Sequence, residues 1–238
     1  MYLSDLHTHS IASGHGTRCT VQDMARAASE KGLKLLGITD HGPATSGAGT
    51  PSYFRSLACS PRERFGIELL YGVELNLMDR EGTVDLPEEL LSRMDYAILS
   101  MHIQNYRPGT REENTRALME AMRRHPGIKI LGHCDDARYP VDYAVLARAA
   151  RENHVIFEIN EASLAPDGYR GDTRKQDAAI LESSLKEGLP VLLSSDSHGT
   201  EKIGDFTFSS EFVHGALFPE EQILNNRLSF LRAFLLDR

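Results

Sequence analysis

His7 and His9 stand two residues apart in the opening run Asp5-Leu6-His7-Thr8-His9-Ser10. In an extended chain alternate residues point the same way, so both imidazoles face one side and can reach a single metal ion. Further along, short apolar runs end in the same chemistry. His41 closes Ile38-Thr39-Asp40-His41, Glu74 closes Gly72-Val73-Glu74, His102 closes Ser100-Met101-His102, His133 follows Gly132, and Ser195-Asp196-Ser197-His198 carries two candidates. His15 sits in the turn after His9, where Ile11-Ala12-Ser13-Gly14 can fold back over the strand end. Histidine and carboxylate without cysteine suit zinc, manganese or iron(II), and neither a thiolate site nor an all-oxygen calcium cage. Nine candidate ligands exceed the needs of one tetrahedral ion. They suffice for three ions if a carboxylate bridges two of them.

Such ligands meet only if the elements carrying them end on one side. β-Branched and aliphatic runs predict strands at residues 2–6, 33–39, 68–75, 95–101, 128–132, 155–160 and 191–195. Between them, amphipathic stretches predict helices over 21–32, 110–125, 142–154 and 173–188, with Thr20 and Asp142 as starts and Gly188 as a stop. The closing polar residues His7, His41, Glu74, His102, His133, Asn160 and Asp196 lie 27 to 36 residues apart, a strand-helix spacing. Alternation of this kind gives parallel strands with right-handed crossovers. No Gly-rich dinucleotide or phosphate-binding loop follows any strand. A (β/α) barrel is therefore expected, and at its mouth the C-terminal strand ends converge. Residues 42–61, rich in Gly, Ser, Thr and Pro, read as a long loop on that face, and 218–238 as two consecutive helices.

The 238 residues fit one domain spanning 1–238, and 41% apolar with 25% charged side chains is the composition of a globular protein. Twenty-six basic against 34 acidic side chains give a net charge of −8 without a basic stripe, which argues against duplex nucleic acid as a partner. No apolar run reaches a membrane span and the N-terminus lacks a signal-peptide pattern, so a cytoplasmic protein with no membrane partner is expected. Three cysteines without a C-x-x-C pair read as reduced thiols. Oligomeric state is not fixed by these features.

Asp5-Leu6-His7-Thr8-His9-Ser10, Ile38-Thr39-Asp40-His41-Gly42-Pro43, the Gly-x-Glu at Glu74, the strand-end histidines and Ser195-Asp196-Ser197-His198 together resemble the polymerase and histidinol phosphatase (PHP) superfamily. Within it, residues 38–43, 157–163 and 194–198 resemble the YcdX-like metal-dependent phosphatases, and the likeness extends over essentially the whole chain. The resemblance implies a distorted (β/α)7 TIM-like barrel with a trinuclear centre at the C-terminal strand ends. One ion would be bound by His7, His9, Glu74 and Asp196, a second by Glu74, His102 and His133, and a third by His15, His41 and His198. Zinc is the first expectation for all three divalent ions, with manganese or iron(II) as alternatives. After His133 the chain has Cys134-Asp135-Asp136 where relatives often have a Pro-Gly turn.

Three dications against two carboxylates leave roughly four positive charges in the pocket, which then favours an anion. A metal-activated water, its pKa lowered from 15.7 to about 7, becomes the nucleophile. Hydrolysis of a small-molecule phosphate monoester follows as the expected activity, with Glu74 as bridge and Asp196, His198 or bound water protonating the leaving group. Arg170 is the first choice of cationic clamp among Arg107, Arg111, Arg170 and Arg174. Asn160 is placed to hydrogen-bond phosphate or water. Histidinol-phosphate phosphatase and phosphodiesterase or exonuclease activities are alternatives within the superfamily, and an amidohydrolase or a non-catalytic accessory PHP module are alternatives from other functional classes. His125, His154 and His214 are read as structural, and Asp40 as either orienting a ligand or capping a turn.

Overall fold

The computed structural model describes residues 2–237. The chain opens with β1 (Ser4–Asp5), β2 (Thr8–His9), α1 (Val21–Glu30), β3 (Leu35–Ile38), α2 (Pro51–Leu57), β4 (Glu63–Arg64), β5 (Ile67–Tyr71), β6 (Val73–Asn76) and α3 (Glu88–Leu91). It continues through β7 (Ala97–Ser100), α4 (Arg111–Arg124), β8 (Ile128–Leu131), α5 (Tyr143–Glu152), β9 (Ile156–Asn160), α6 (Glu161–Leu164) and α7 (Arg174–Glu187). The last elements are β10 (Val191–Ser194), β11 (Ser197–His198), α8 (Thr207–Gly215) and α9 (Leu228–Leu236).

Three of these strands are interrupted. β1 with β2, β5 with β6, and β10 with β11 each form one broken strand, which leaves seven parallel strands; β4 alone runs antiparallel, against the start of β5. β1 pairs with β3 and β3 with β5, while β6 through β10 pair in sequence order. The ends of this sheet meet where β11 pairs with β2, Ser197 opposite Thr8 and His198 opposite His9. Below that pair Asn225 spans the seam: its Oδ1 accepts from Leu193 N, and its Nδ2 donates to Ser4 O and Leu193 O. Leu6, Leu35, Leu70, Ile98, Ile130, Ile156 and Leu192, one from each of the seven strands, belong to a single buried cluster. Only a sheet curled on itself brings all seven together, so the architecture is a distorted (β/α)7 barrel.

The barrel floor is sealed by Leu224 and by Leu231 and Leu235 of α9, each leucine contributing about 1.5–3 kcal/mol on burial. Tyr96 crosses the interior to donate its hydroxyl to Leu6 O at 2.6 Å. A Cβ at Gly37 would collide with that hydroxyl. Outside the ring, two further apolar clusters join the strands to the surrounding helices.

The helices start and stop where the sequence indicates. Thr20 with Asp23 and Thr110 with Glu113 form capping boxes, Asp142 accepts from Val145 N, and Gly188 ends α7 at a φ of 66°. Two expectations need correction. Residues 42–61 are not all loop: Pro51 at the first helical position opens α2, which buries Phe54 and Leu57. Residues 218–238 hold one α-helix, α9, preceded by 3₁₀ turns at Glu220–Gln222 and Leu224–Asn226, with Arg238 outside the described residues. The asparagines explain the break, because Asn225 bonds the barrel seam and Asn226 Oδ1 accepts from Leu3 N. His214, read as structural, lies within α8. Among the described residues no helix is long and apolar enough to cross a membrane.

Candidate metal centre

Glu74 ends up fully buried in the middle of the strand ends, ringed by imidazoles. Its Oε1 lies 2.8 Å from His133 Nε2 and 3.3 Å from His102 Nε2, and its Oε2 lies 2.5 Å from His41 Nδ1 and 3.5 Å from His7 Nε2. Asp196 Oδ1 is 3.1 Å from His9 Nε2. The rings of His9 and His198, opposite each other in the β2·β11 pair, stack at 4.2 Å, and His15 lies 4.9 Å from the ring of His41 and 5.0 Å from that of His198. All nine expected side chains therefore share one site, although they come from six of the seven strands and a loop. The Gly14-His15-Gly16 turn reaches the site because both glycines adopt positive φ, and a Cβ on Gly16 would overlap the His198 ring.

Backbone strain gathers here too. Asp196 and His133 adopt φ of 53° and 28°, a region that costs a non-glycine residue about 1–3 kcal/mol. Surrounding structure holds the outer nitrogens of the imidazoles. Glu158 Oε1 lies 2.6 Å from His7 Nδ1, and the carboxylate fixes the proton there. His9 Nδ1 lies 2.8 Å from Ser13 Oγ, whose own proton goes to Asp40; His102 Nδ1 lies 2.7 Å from Asn76 Oδ1. Each arrangement turns the Nε2 lone pair toward Glu74 or Asp196. Asp40 thus orients His9 through Ser13, and it also accepts from Ser10 and Tyr53.

Burial alone would raise the pKa of Glu74, but His41, His102 and His7 hold it well below the usual carboxylate range. Burial likewise opposes the ionisation of Asp196, and His7, His9 and Arg170 overcome it. Burial pushes His9 well below its usual value, with His198 and His41 acting in the same direction. His7 and His41 go the other way despite their burial, the first raised chiefly by Glu158 and the second by Glu74.

Four buried atoms of this cluster, His7 Nε2, His41 Nδ1, Glu74 Oε2 and His198 Nε2, make no hydrogen bond. Leaving each unpaired costs about 1–3 kcal/mol. Three sets, His7-His9-Asp196, His9-His41-His198 and His41-Glu74-His102, offer donor atoms within 4.8 Å of one another. Donor atoms facing each other in threes, each set including at least one residue with an orphaned buried atom and all nitrogen or carboxylate oxygen, fit divalent cations.

The site opens into a cavity of about 590 Å³, walled on one side by Arg170, Arg138 and Tyr169. Arg170 is almost fully buried; its Nη2 donates to Asp196 Oδ2 at 3.2 Å and its Nη1 to Ser163 Oγ at 2.9 Å. The other candidate arginines lie elsewhere: Arg174 pairs with Asp172 at the surface, Arg111 donates to Val141 O, and Arg107 is exposed. Asn160 does not reach the cavity. It caps α6, its Oδ1 accepting from Ser163 N and Arg170 Nη1 and its Nδ2 donating to Glu158 and Asp196. His125 faces Glu88, and His154 and His214 are on the outside of the barrel. Glu158 and Arg138 were missed by sequence reasoning. Glu158 did leave a signal, an acidic residue inside an apolar strand two positions before Asn160 and so on the same inward face.

Residues 5–164 match the PHP domain family. The chain belongs to that family. A "Probable phosphatase" of Clostridium acetobutylicum is 37% identical over 224 residues, covering 94% of this chain and 90% of that one. Among solved structures, histidinol phosphate phosphatase from Lactococcus lactis, complexed with zinc, L-histidinol and phosphate, superposes with a TM-score of 0.61 at 18% identity, over 91% of this PHP chain and 94% of its own. A chain of archaeal ribonuclease P, solved with mature tRNA, reaches the same TM-score at 16% identity, over 98% and 93%. Likeness at that identity describes the fold and not the chemistry.

Proposed function

We propose that this PHP protein hydrolyses a small phosphate monoester at a trinuclear divalent metal centre held by His7, His9, His15, His41, Glu74, His102, His133, Asp196 and His198. The convergence of nine such side chains, four with orphaned buried atoms, beside a buried arginine carries the reading. The name of the Clostridium acetobutylicum relative supports phosphatase activity, and the zinc in the Lactococcus lactis structure supports zinc as the first choice over manganese or iron(II).

By the family resemblance, His7, His9, Glu74 and Asp196 would hold one ion, Glu74, His102 and His133 a second, and His15, His41 and His198 the third, while the distances also bring His41 close to Glu74 and His102. Bound there, the ions supply a water activated at neutral pH and positive charge for the phosphoryl oxygens. The chain's own residues do the rest. Arg170 lines the cavity with its Nη groups held by Asp196, Ser163 and Asn160, and it is the buried cation placed beside the centre to clamp the transferring phosphoryl group. Asn160 acts through Arg170 by holding it in place. Water's oxygen bonds to phosphorus as the ester bond breaks, and a proton ends on the leaving alkoxide. Asp196, held ionised by Arg170 and its histidines, keeps charge in the site; His198 is the partly exposed imidazole at the mouth, where the leaving group departs. With Cys19, Cys59 and Cys134 all unpaired, a reducing cytoplasmic setting suits the chain.

Elemental analysis of gently purified protein, with hydrolysis of p-nitrophenyl phosphate and bis-p-nitrophenyl phosphate before and after chelation, tests this function. Three ions per chain and chelator-sensitive cleavage of the monoester are expected. Two or fewer ions and no phosphoesterase activity with added zinc or manganese would overturn it and point to an amidohydrolase or an accessory module.

A further inference from the structure

Arg138 serves none of the nine side chains of the centre, yet it lines the same cavity as Arg170. Its guanidinium is fixed in place. Asp136 accepts from Nε at 2.9 and 3.0 Å and from Nη2 at 2.6 Å, a bidentate grip that leaves Nη1 without a hydrogen bond to the protein. Tyr169 steadies both arginines: the Arg138 guanidinium carbon lies over its ring at 5.3 Å and that of Arg170 at 4.6 Å. Two guanidinium groups thus sit against one aromatic ring on one cavity wall, the inner beside Asp196 and the outer away from the centre.

The opposite charge is missing from that wall. Among the described residues lining the cavity the only carboxylate is Asp196, already engaged with His9 and Arg170. Both oxygens of Asp136 are taken by Arg138. A substrate whose far end is an ammonium finds no counter-charge, whereas a second anion meets an immobilised guanidinium whose ordering cost has already been met.

We infer that the substrate carries a second anionic group, a carboxylate or another phosphate, which Arg138 binds while Arg170 holds the phosphate to be cleaved. This rests on the phosphatase reading above and narrows its substrate class. It also sets the chain apart from an enzyme selecting an aminoalkyl phosphate.

Calorimetric titration of the metal-loaded protein with four phosphonates of equal chain length separates the possibilities without turnover. These are propylphosphonate, 3-aminopropylphosphonate, 4-phosphonobutanoate and propane-1,3-diylbisphosphonate. One charge-assisted contact from an arginine already paired predicts at least about tenfold tighter binding of the better dianion than of propylphosphonate, with no gain for the amine. Whichever dianion binds tighter identifies the second group. Arg138→Gln should reduce the preference to within about twofold. Equal binding of all four by the unaltered protein, or tightest binding of the amine, would overturn the inference, as would a preference that survives Arg138→Gln. Hydrolysis of propyl phosphate, followed in parallel, keeps the two readings apart. Cleavage without a dianion preference removes this inference alone, and a dianion preference without cleavage of any monoester removes the phosphatase reading and leaves the second-anion site standing.

Discussion

Glu158 makes no contact with the cavity, yet its removal should be felt at the centre. The carboxylate is 1% exposed and holds three groups: His7 Nδ1 at 2.6 Å, His133 N at 2.7 Å and Asn160 Nδ2 at 3.0 Å. Two of these belong to proposed ligands, and the third caps the helix on which Arg170 leans. Glu158→Gln preserves the volume but brings an amide N–H against either His7 Nδ1–H or His133 N–H, since one Gln oxygen cannot accept from both sides. A charge-assisted hydrogen bond in such a site is worth about 1.5–3 kcal/mol, which is about 10- to 100-fold in an equilibrium constant, the range seen when partners of metal-ligating histidines are removed. The variant should fold, with an unchanged circular dichroism spectrum, and should bind zinc about 10- to 100-fold more weakly in competition with a chromophoric chelator. Zinc affinity within twofold of the unaltered protein would refute the claim that Glu158 sets the orientation of His7.

Glu74→Gln should abolish monoester hydrolysis and loosen two ions at once, measured as bound metal after gel filtration; full activity would sink the bridging role. His154→Asn should leave metal content and turnover unchanged, since His154 is exposed at a φ of 55° that asparagine tolerates. Metal binding should release protons: His7 and His41, raised above the usual imidazole value, hold a proton to higher pH than a free imidazole does, and metal must displace it, so affinity is full above those raised values and lost as pH falls through them. Calorimetry in two buffers of different ionisation enthalpy reads this directly, and identical heats in both would contradict it.

The strand ends were legible because a single polar residue closes each apolar run, and the helices because Thr20, Thr110, Asp142 and Gly188 punctuate them. Short elements were not. α2 buries only Phe54 and Leu57, a spacing too brief to show a period in a stretch rich in Gly, Ser and Pro. The tail escaped for another reason, since Asn225 and Asn226 bond to distant strands and local propensity is overridden by tertiary contacts. Arg138 and Tyr169 come from different loops and meet only in three dimensions, so no spacing in the chain announces them. The histidines announced themselves because their positions follow the strands.

The seam of the barrel and the candidate centre are one structure. β1 and β10 are bridged by the side chains of Asn225 and Asp5, the latter accepting from Ser195 N and Gly204 N, and backbone pairing between first and last strands is confined to β2·β11. His9 and His198 face each other in that same pair, with Asp196 beside them. Any ion held by His9 together with Asp196, or by His9 with His198, therefore ties the edges of the sheet together where its backbone pairing is thinnest. Removing metal should open the barrel there first, because the donor atoms crowded at the seam then lose their common partner. Hydrogen exchange after chelation should show protection lost at Ser195 and Gly204, whose amides donate to Asp5, by at least about tenfold more than at β7 and β8, whose ladders lie across the barrel. Equal loss in every strand would mean that the ions stabilise the fold only globally, and that the seam is not the place where binding and barrel closure are coupled.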